Sequence, residues 1–184
     1  MDWIISPLDA IDRSASSLKK EPFNSGNAEL DRYLKQYAKK NDKNGITRTF
    51  VAVTSQGNPM ISGYYSCCAG AVKHEDLPIE LREGIPKYPS PAILIAKLAV
   101  DRSMQGRGLG KQLLLHAFAR AIDVSRIVGV YAVRVDAIDE EAKQFYKKFG
   151  FLELQDTPLS LFIRMETLKK AANVRRSQPG QTPI

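Results

Sequence analysis

Apolar positions along this chain fall into blocks of two different periods, and each block predicts an element. Trp3-Ile4-Ile5 is a short strand closed by Ser6-Pro7. Phe23-Asn24-Ser25-Gly26-Asn27 is a turn rich in capping residues, ahead of a helix with Leu30, Tyr33, Leu34, Tyr37 and Ala38 as its apolar stripe. Arg32, Lys35, Lys39, Lys40 and Lys43 occupy its other faces, and Asn44-Gly45 stops it. Strands are expected over 47–54 and 60–68, joined by the hairpin turn Ser55-Gln56-Gly57-Asn58. A short helix is expected over 77–82. Pro78, Pro86, Pro89 and Pro91 then crowd one stretch, so 84–91 reads as an ordered loop leading into a strand over 92–100. Leu109, Leu113, Leu114, Ala117, Phe118 and Ala121 keep a helical core period. A β-branched strand covers 130–135. Asp139-Glu140-Glu141 opens a helix that is acidic at its start, basic at Lys147-Lys148 and ended by Gly150. Strands over 151–154 and 159–165 flank Pro158.

Strands first, then strand–loop–helix–strand–helix–strand, imply an α/β or α+β domain with a mixed sheet. The crossover from Val100 through a helix to Val130 predicts two adjacent parallel strands. At 184 residues the chain reads as one domain over 1–166. A polar, basic and mobile tail follows over 167–184, with Lys169, Lys170, Arg175, Arg176 and Pro179-Gly180.

Composition narrows the setting. No apolar run approaches the ~20 residues that span a bilayer, and no secretory leader is visible, so a cytoplasmic protein without a membrane partner is expected. Cys67 and Cys68 are adjacent in a strand and point to opposite faces, which disfavours both a zinc pair and a disulfide. The net charge of +7 and isoelectric point near 9.4 favour polyanionic partners. A merely solvated basic surface is the competing reading of the same charge.

Candidate chemistry concentrates in Gln105-Gly106-Arg107-Gly108-Leu109-Gly110, which lies between an expected strand and an expected helix. Backbone N–H groups and the positive end of the helix dipole converge there, and glycines let an anion approach. It is not a P-loop, because Gly110-Lys111 is followed by Gln112 and no hydroxyl is placed for magnesium. Nor is it the dinucleotide fingerprint, because position 111 is lysine where a third glycine is needed. The remaining pattern, Gln-x-x-Gly-x-Gly, resembles the pyrophosphate-binding signature of acetyl-CoA-dependent N-acetyltransferases.

Acetyl transfer to an amine also needs a polarised carbonyl and a proton for the departing thiolate. A backbone N–H along Leu98 to Val100 is the candidate for the first. For the second, Tyr146 lies in the helix that ends at Gly150, with Phe145 and Phe149 expected to anchor in the core and turn the phenol toward a cleft. The alternative is a half-buried tyrosine with a local partner. No general base stands out. His116 falls inside a helix pattern and reads as structural, and His74 falls in a polar loop. An aminoacyl ester, whose amine is weakly basic, needs only positioning and water.

In sum of its motifs the chain resembles the GNAT superfamily, and within it the acetyltransferase toxins of type II toxin–antitoxin pairs. The resemblance runs from about Phe23 to Met165 and is carried by Leu30-Asp31-x-Tyr33-Leu34, Gly63-Tyr64-Tyr65, Pro86-Lys87-Tyr88-Pro89 and Lys97-Leu98-Ala99-Val100-Asp101. Val135-Asp136-Ala137 and Ala142-x-x-Phe145-Tyr146-x-x-Phe149-Gly150-Phe151 complete it. It implies a largely antiparallel, twisted mixed sheet flanked by helices, with a central parallel pair splayed around the cofactor. It also implies acetylation of the α-amino group of aminoacyl-tRNA, with acetyl-CoA as co-substrate, no metal and a block of translation. Tyr146 matches the family's catalytic tyrosine, and Leu98, Val100, Gln105, Gly106, Arg107, Gly108, Leu109, Gly110 and Lys111 match its cofactor contacts. Lys35, Lys39, Tyr65 and Lys97 are the candidates for substrate binding; the family often carries arginine where Lys97 stands, which has the same charge but a planar fork. The implied partners are a ribbon-helix-helix antitoxin that binds operator DNA and a second copy in a homodimer.

Two other functions fit parts of the same sequence. An N-acetyltransferase for a small-molecule or protein amine would share the loop and the tyrosine, although a polyamine substrate calls for an acidic cleft. A non-catalytic module that senses acyl-CoA or binds nucleic acid with the tail is the third reading, and the intact loop and tyrosine speak against it.

Overall fold

The computed structural model describes residues 3–11, 23–54 and 60–177. Seven strands follow the order β1-β2-β3-β4-β5-β7-β6: β1 (Trp3–Pro7), β2 (Arg48–Thr54), β3 (Ile61–Val72), β4 (Ser90–Val100), β5 (Ala132–Asp136), β6 (Leu152–Leu154) and β7 (Thr157–Arg164). The pairs β1/β2, β2/β3, β5/β7 and β6/β7 are antiparallel. Helix α3 (Leu109–Val124) carries the chain back so that β5 lies beside β4 as a parallel pair, as the crossover length predicts. The mixed sheet expected from the order of elements, mostly antiparallel as the resemblance implies, is therefore present.

The chain packs as two compact units, Met1–Cys68 with Ile95–Ala117, and Ala69–Leu94 with Phe118–Ile184. In the first, Leu8, Phe23, Leu30, Leu34, Ala38, Val51, Tyr64 and Ala99 form the core. In the second, Val72, Leu77, Ala92, Ala132, Leu154 and Phe162 do so.

The first helical stretch departs from a plain α-helix. α1 (Ala28–Arg32) runs into a π turn at Tyr33–Tyr37 and continues as α2 (Ala38–Lys43), with the Ala38 amide donating to Tyr33 O. Its buried positions, Leu30, Leu34, Ala38 and Asp42, are four apart. A row spaced by four drifts around an α-helix of 3.6 residues per turn, and a wider π turn takes up part of that drift. Lys35, Lys39 and Lys43 follow the same spacing and are exposed.

Several expectations are corrected. β3 runs on to Val72 rather than ending at Cys68, because Ala69, Gly70 and Ala71 carry nothing that breaks a strand. The helix expected over 77–82 is two 3₁₀ turns, His74–Asp76 and Ile79–Leu81, separated at Pro78, which lacks an N–H. Beside these, the polar stretch after Glu166 is helical to Ser177 as part of α5 (Met165–Ser177). Its start is held by the Met165 amide on Tyr131 O and by buried Met165 and Leu168. The hairpin turn at 55–58 and the Pro179-Gly180 end of the tail lie outside the described residues.

One glycine marks a close approach. A Cβ on Gly63 in β3 would lie 3.0 Å from Ala99 O and 3.0 Å from Leu113 Cδ1, so β3 packs against β4 and α3 with no room for a methyl group. Gly63→Ala is expected to cost roughly 1–3 kcal/mol through overpacking. Gly84→Ala, at φ +73° with open space around the site, costs only about 1 kcal/mol of backbone strain. Thermal denaturation of the two variants checks this; an unchanged melting temperature in Gly63→Ala would mean that the approach at Gly63 is not tight.

Candidate active site

In the first unit, the end of β4 and the loop after it are built around Asp101, which is buried. Its carboxylate accepts from Asn24 N at 2.9 Å, Ser103 N at 2.9 Å and Ser103 Oγ at 2.6 Å. Burial pushes this carboxyl up, but the hydrogen bonds from Ser103 and Asn24 outweigh it and hold it below its ordinary value. The Asp101 amide donates to Ser62 O of β3 at 2.8 Å, and the Arg102 amide to Asn24 O at 2.8 Å. An aspartate two residues before a serine at a strand end is a recognisable Asx-type turn, and that was the available sequence signal for this hub.

From this anchor the chain passes through a 3₁₀ turn (Arg102–Met104) into the glycine loop. Gly106 and Gly108 have φ of +72° and +84°, a region that side chains rarely enter, and nothing lies within 4 Å of a Cβ built on either. The backbone is thus held in a turn whose outer face is open, immediately before α3. The first amides of a helix have no acceptor within it, and the dipole adds about half a positive charge at that end. Exposed Arg107 and Lys111 add cationic side chains, while Leu109 turns inward and is buried. An anion such as a diphosphate fits a cradle of this kind.

Gln105 plays a different part from its neighbours. Its Nε2 donates to Val100 O at 3.0 Å and to Ser25 O at 3.0 Å, so the carboxamide is engaged with the protein's own backbone. On β4, Leu98 and Val100 are half-buried. Strand alternation sends their N–H groups to the edge opposite the one on which the Asp101 amide meets β3.

Of the expected substrate contacts, Lys35 and Lys39 are exposed on the first helical stretch. Lys97 is half-buried with its Nζ 5.7 Å from the centre of the Tyr33 ring, which in turn stacks on Tyr64. Tyr65 is fully buried and stacked on Phe50, and its hydroxyl lies 2.8 Å from His116 Nδ1. Cys67 and Cys68 are on one strand as expected, and burial pushes the Cys67 thiol up to about 11 and also raises Cys68, so neither is a thiolate nucleophile at neutral pH.

In the second unit, Tyr146 lies on α4 (Glu140–Lys147), which is capped by Asp139 through the Ala142 amide at 2.8 Å. The expected division of labour on this helix is reversed. Tyr146 is buried, edge-on to Phe145 at 5.2 Å and to Phe151 at 5.5 Å, whereas Phe145 and Phe149 are only half-buried. The pull is from Phe151, itself buried just past the φ +87° turn at Gly150; the sequence spacing of Phe145 and Phe149 does not reveal it. Burial drives the Tyr146 hydroxyl well above the ordinary phenol range, so it is a neutral hydrogen-bond donor at every physiological pH. Among the described residues, no cluster of His, Cys, Asp or Glu is arranged to hold a metal ion.

The raised phenol has a pH consequence. A group whose folded value lies above its unfolded value adds stability below the unfolded value, and that contribution fades as pH rises past it. Alkaline titration of tyrosinate absorbance should therefore show no difference between wild type and Tyr146→Phe up to about pH 10.5, because Tyr146 ionises after ordinary phenols. A missing phenol signal near pH 10 in the variant would contradict the burial.

The Acetyltransferase (GNAT) domain model matches residues 45–153. A tRNA-acetylating toxin from Mycobacterium tuberculosis (strain ATCC 25618 / H37Rv) is 38% identical over 144 residues, which is 78% of this chain and 84% of the relative. Among solved structures, a tyrosine-to-phenylalanine variant of KacT superposes with a TM-score of 0.83 at 26% identity, covering 93% of this chain and 99% of KacT. AtaT in complex with acetyl-methionyl-tRNAfMet superposes with a TM-score of 0.82 at 27% identity, again over 93% and 99% of the two chains. With a domain match over more than half its length and so similar a relative over most of it, the chain belongs to the GNAT acetyltransferase family.

Proposed function

We propose that this protein is a toxin that moves an acetyl group from acetyl-CoA to the α-amino group of aminoacyl-tRNA and so stops translation in the cytoplasm. The observation that carries the reading is the 38% identity to a tRNA-acetylating toxin over most of both chains. It is supported by the anion cradle at 105–111 and by the exposed lysine row Lys35, Lys39 and Lys43 in the same unit. The likeness to AtaT, known with acetyl-methionyl-tRNA, points the same way. A net charge of +7 suits a polyanionic acceptor. By the sequence resemblance, a ribbon-helix-helix antitoxin that binds operator DNA is the neutralising partner.

In this reading, bound acetyl-CoA supplies the acetyl group and departs as a thiol. Amides of Gly106 to Lys111 hold its diphosphate, with Arg107 and Lys111 adding charge. The N–H groups of Leu98 and Val100 orient the donor, and one of them polarises the reacting carbonyl. Tyr146 is the proton donor to the sulfur. A phenol raised by burial is a weak acid, and a thiolate is the charge it would meet. Tyr146 donates a hydrogen bond first and yields its proton as the C–S bond breaks and negative charge builds on sulfur; the proton shed by the attacking nitrogen passes to water and restores the phenol. His116 is committed to Tyr65, and the acceptor's weakly basic amine reacts from its neutral fraction without a dedicated base.

Incubation with radiolabelled acetyl-CoA should place label on charged tRNA and none on deacylated tRNA. Equal labelling of both, or of neither, would overturn the choice of acceptor. Tyr146→Phe should leave coenzyme affinity nearly unchanged and slow turnover roughly 10²–10⁴-fold. Unchanged turnover would remove the phenol from the reaction.

A further inference from the structure

Gln105 sits in the loop assigned above to the diphosphate, but its exposed side chain is engaged with backbone carbonyls of the protein itself. The carboxamide nitrogen spans two carbonyls, Val100 O at the end of β4 and Ser25 O in the turn before the first helix, each at 3.0 Å. Both acceptors belong to segments that are themselves tied down. The peptide between Val100 and Asp101 is pinned at both ends, its carbonyl by Gln105 and its N–H by Ser62 O. Ser25 is held from the helix side, because its N and Oγ donate to Asp31 Oδ1 at 2.8 and 2.7 Å. Asn27 then caps α1 through the Glu29 and Leu30 amides at 3.0 and 3.1 Å. A second tie runs in parallel, from Asp101 to Asn24 N and from the Arg102 amide to Asn24 O. Gly26 passes beneath the Arg102 guanidinium so closely that a Cβ there would lie 2.7 Å from Arg102 Nε.

We propose that Gln105 is a positioning residue that couples the acyl-donor loop to the helical stretch carrying Lys35, Lys39 and Lys43, adding to the tie through Asp101 and Asn24, so that donor and acceptor sites keep one register. This rests on the functional reading above and names a device within it. The chemistry required at the position follows from the two acceptors. A side chain with two or more N–H donors and no acceptor facing them can bridge two carbonyls. A carboxylate cannot, since it would set like partial charges against each other. The carbonyl of Val100 and its N–H lie on the same edge of β4, so the bridge also orients the strand end at which the donor is proposed to lie.

The test compares three variants of the full chain with wild type. Gln105→Leu and Gln105→Glu should each raise the KM for acetyl-CoA and the KM for charged tRNA together, by roughly ten- to thirtyfold, as expected for the loss of two hydrogen bonds. Gln105→Arg, which retains several donors, should restore both to within a few-fold of wild type. A readout independent of activity accompanies this. In Gln105→Leu, amide hydrogen exchange should accelerate at 24–30, in the turn and the first turn of α1, and stay unchanged at 140–147 in α4. If only the KM for acetyl-CoA changes and exchange at 24–30 is unaltered, Gln105 acts on the donor alone and the coupling is refuted. If exchange responds as stated while no amine is acetylated by wild type, the strap stands and the functional reading falls.

Discussion

One buried carboxylate sets the geometry on which the donor half of this protein depends. Asp101 gathers the amides of Asn24 and Ser103 and the hydroxyl of Ser103, and its own amide closes onto β3. Those bonds fix where β4 stops and in what direction the chain leaves it. From there Gly106 and Gly108 can take the positive φ values that turn the backbone outward ahead of α3. Replacing Asp101 by alanine would leave buried donors unsatisfied, at roughly 1–3 kcal/mol for each. The anion cradle is thus a backbone feature sustained by a side chain that never needs to touch the ligand.

The acid role proposed for Tyr146 rests on the opposite condition. At Asp101 hydrogen bonds from Ser103 and Asn24 outweigh burial and hold the carboxyl below its ordinary value, while burial beside Phe145 and Phe151 raises the Tyr146 phenol, which is neutral at physiological pH in any case. A neutral phenol in such a setting is suited to meeting negative charge as it forms, and unsuited to removing a proton from an amine.

Much of the fold was legible in the chain because its signals are local. Period, caps and glycines placed the helix at α3, the Asp139 cap, the stop at Gly150 and the crossover that makes β4 and β5 parallel. Features that depend on several segments meeting were not legible. The π turn at Tyr33–Tyr37 arises from a four-residue spacing that looks like an ordinary stripe in one dimension. The burial of Tyr65 and the inward turn of Tyr146 depend on Phe50, His116 and Phe151, none adjacent in sequence to the residue it captures. The helical character of 165–177 was obscured by its polar composition, since its anchor, Tyr131 O, is remote in the chain. In the candidate site, the glycines were readable as a turn for an anion, but Gln105 was readable only as part of a pattern. Its bond to Ser25 O crosses eighty positions.

The central claim is that backbone amides of the loop and the first turn of α3 receive the diphosphate of the donor. Backbone amide resonances provide the direct measurement, with coenzyme A titrated into one sample and pantetheine, which lacks the diphosphate, into another. The account predicts that amides from Gly106 to Lys111 shift with coenzyme A and stay in place with pantetheine. Amides at 106–111 that stay in place at saturating coenzyme A would contradict it.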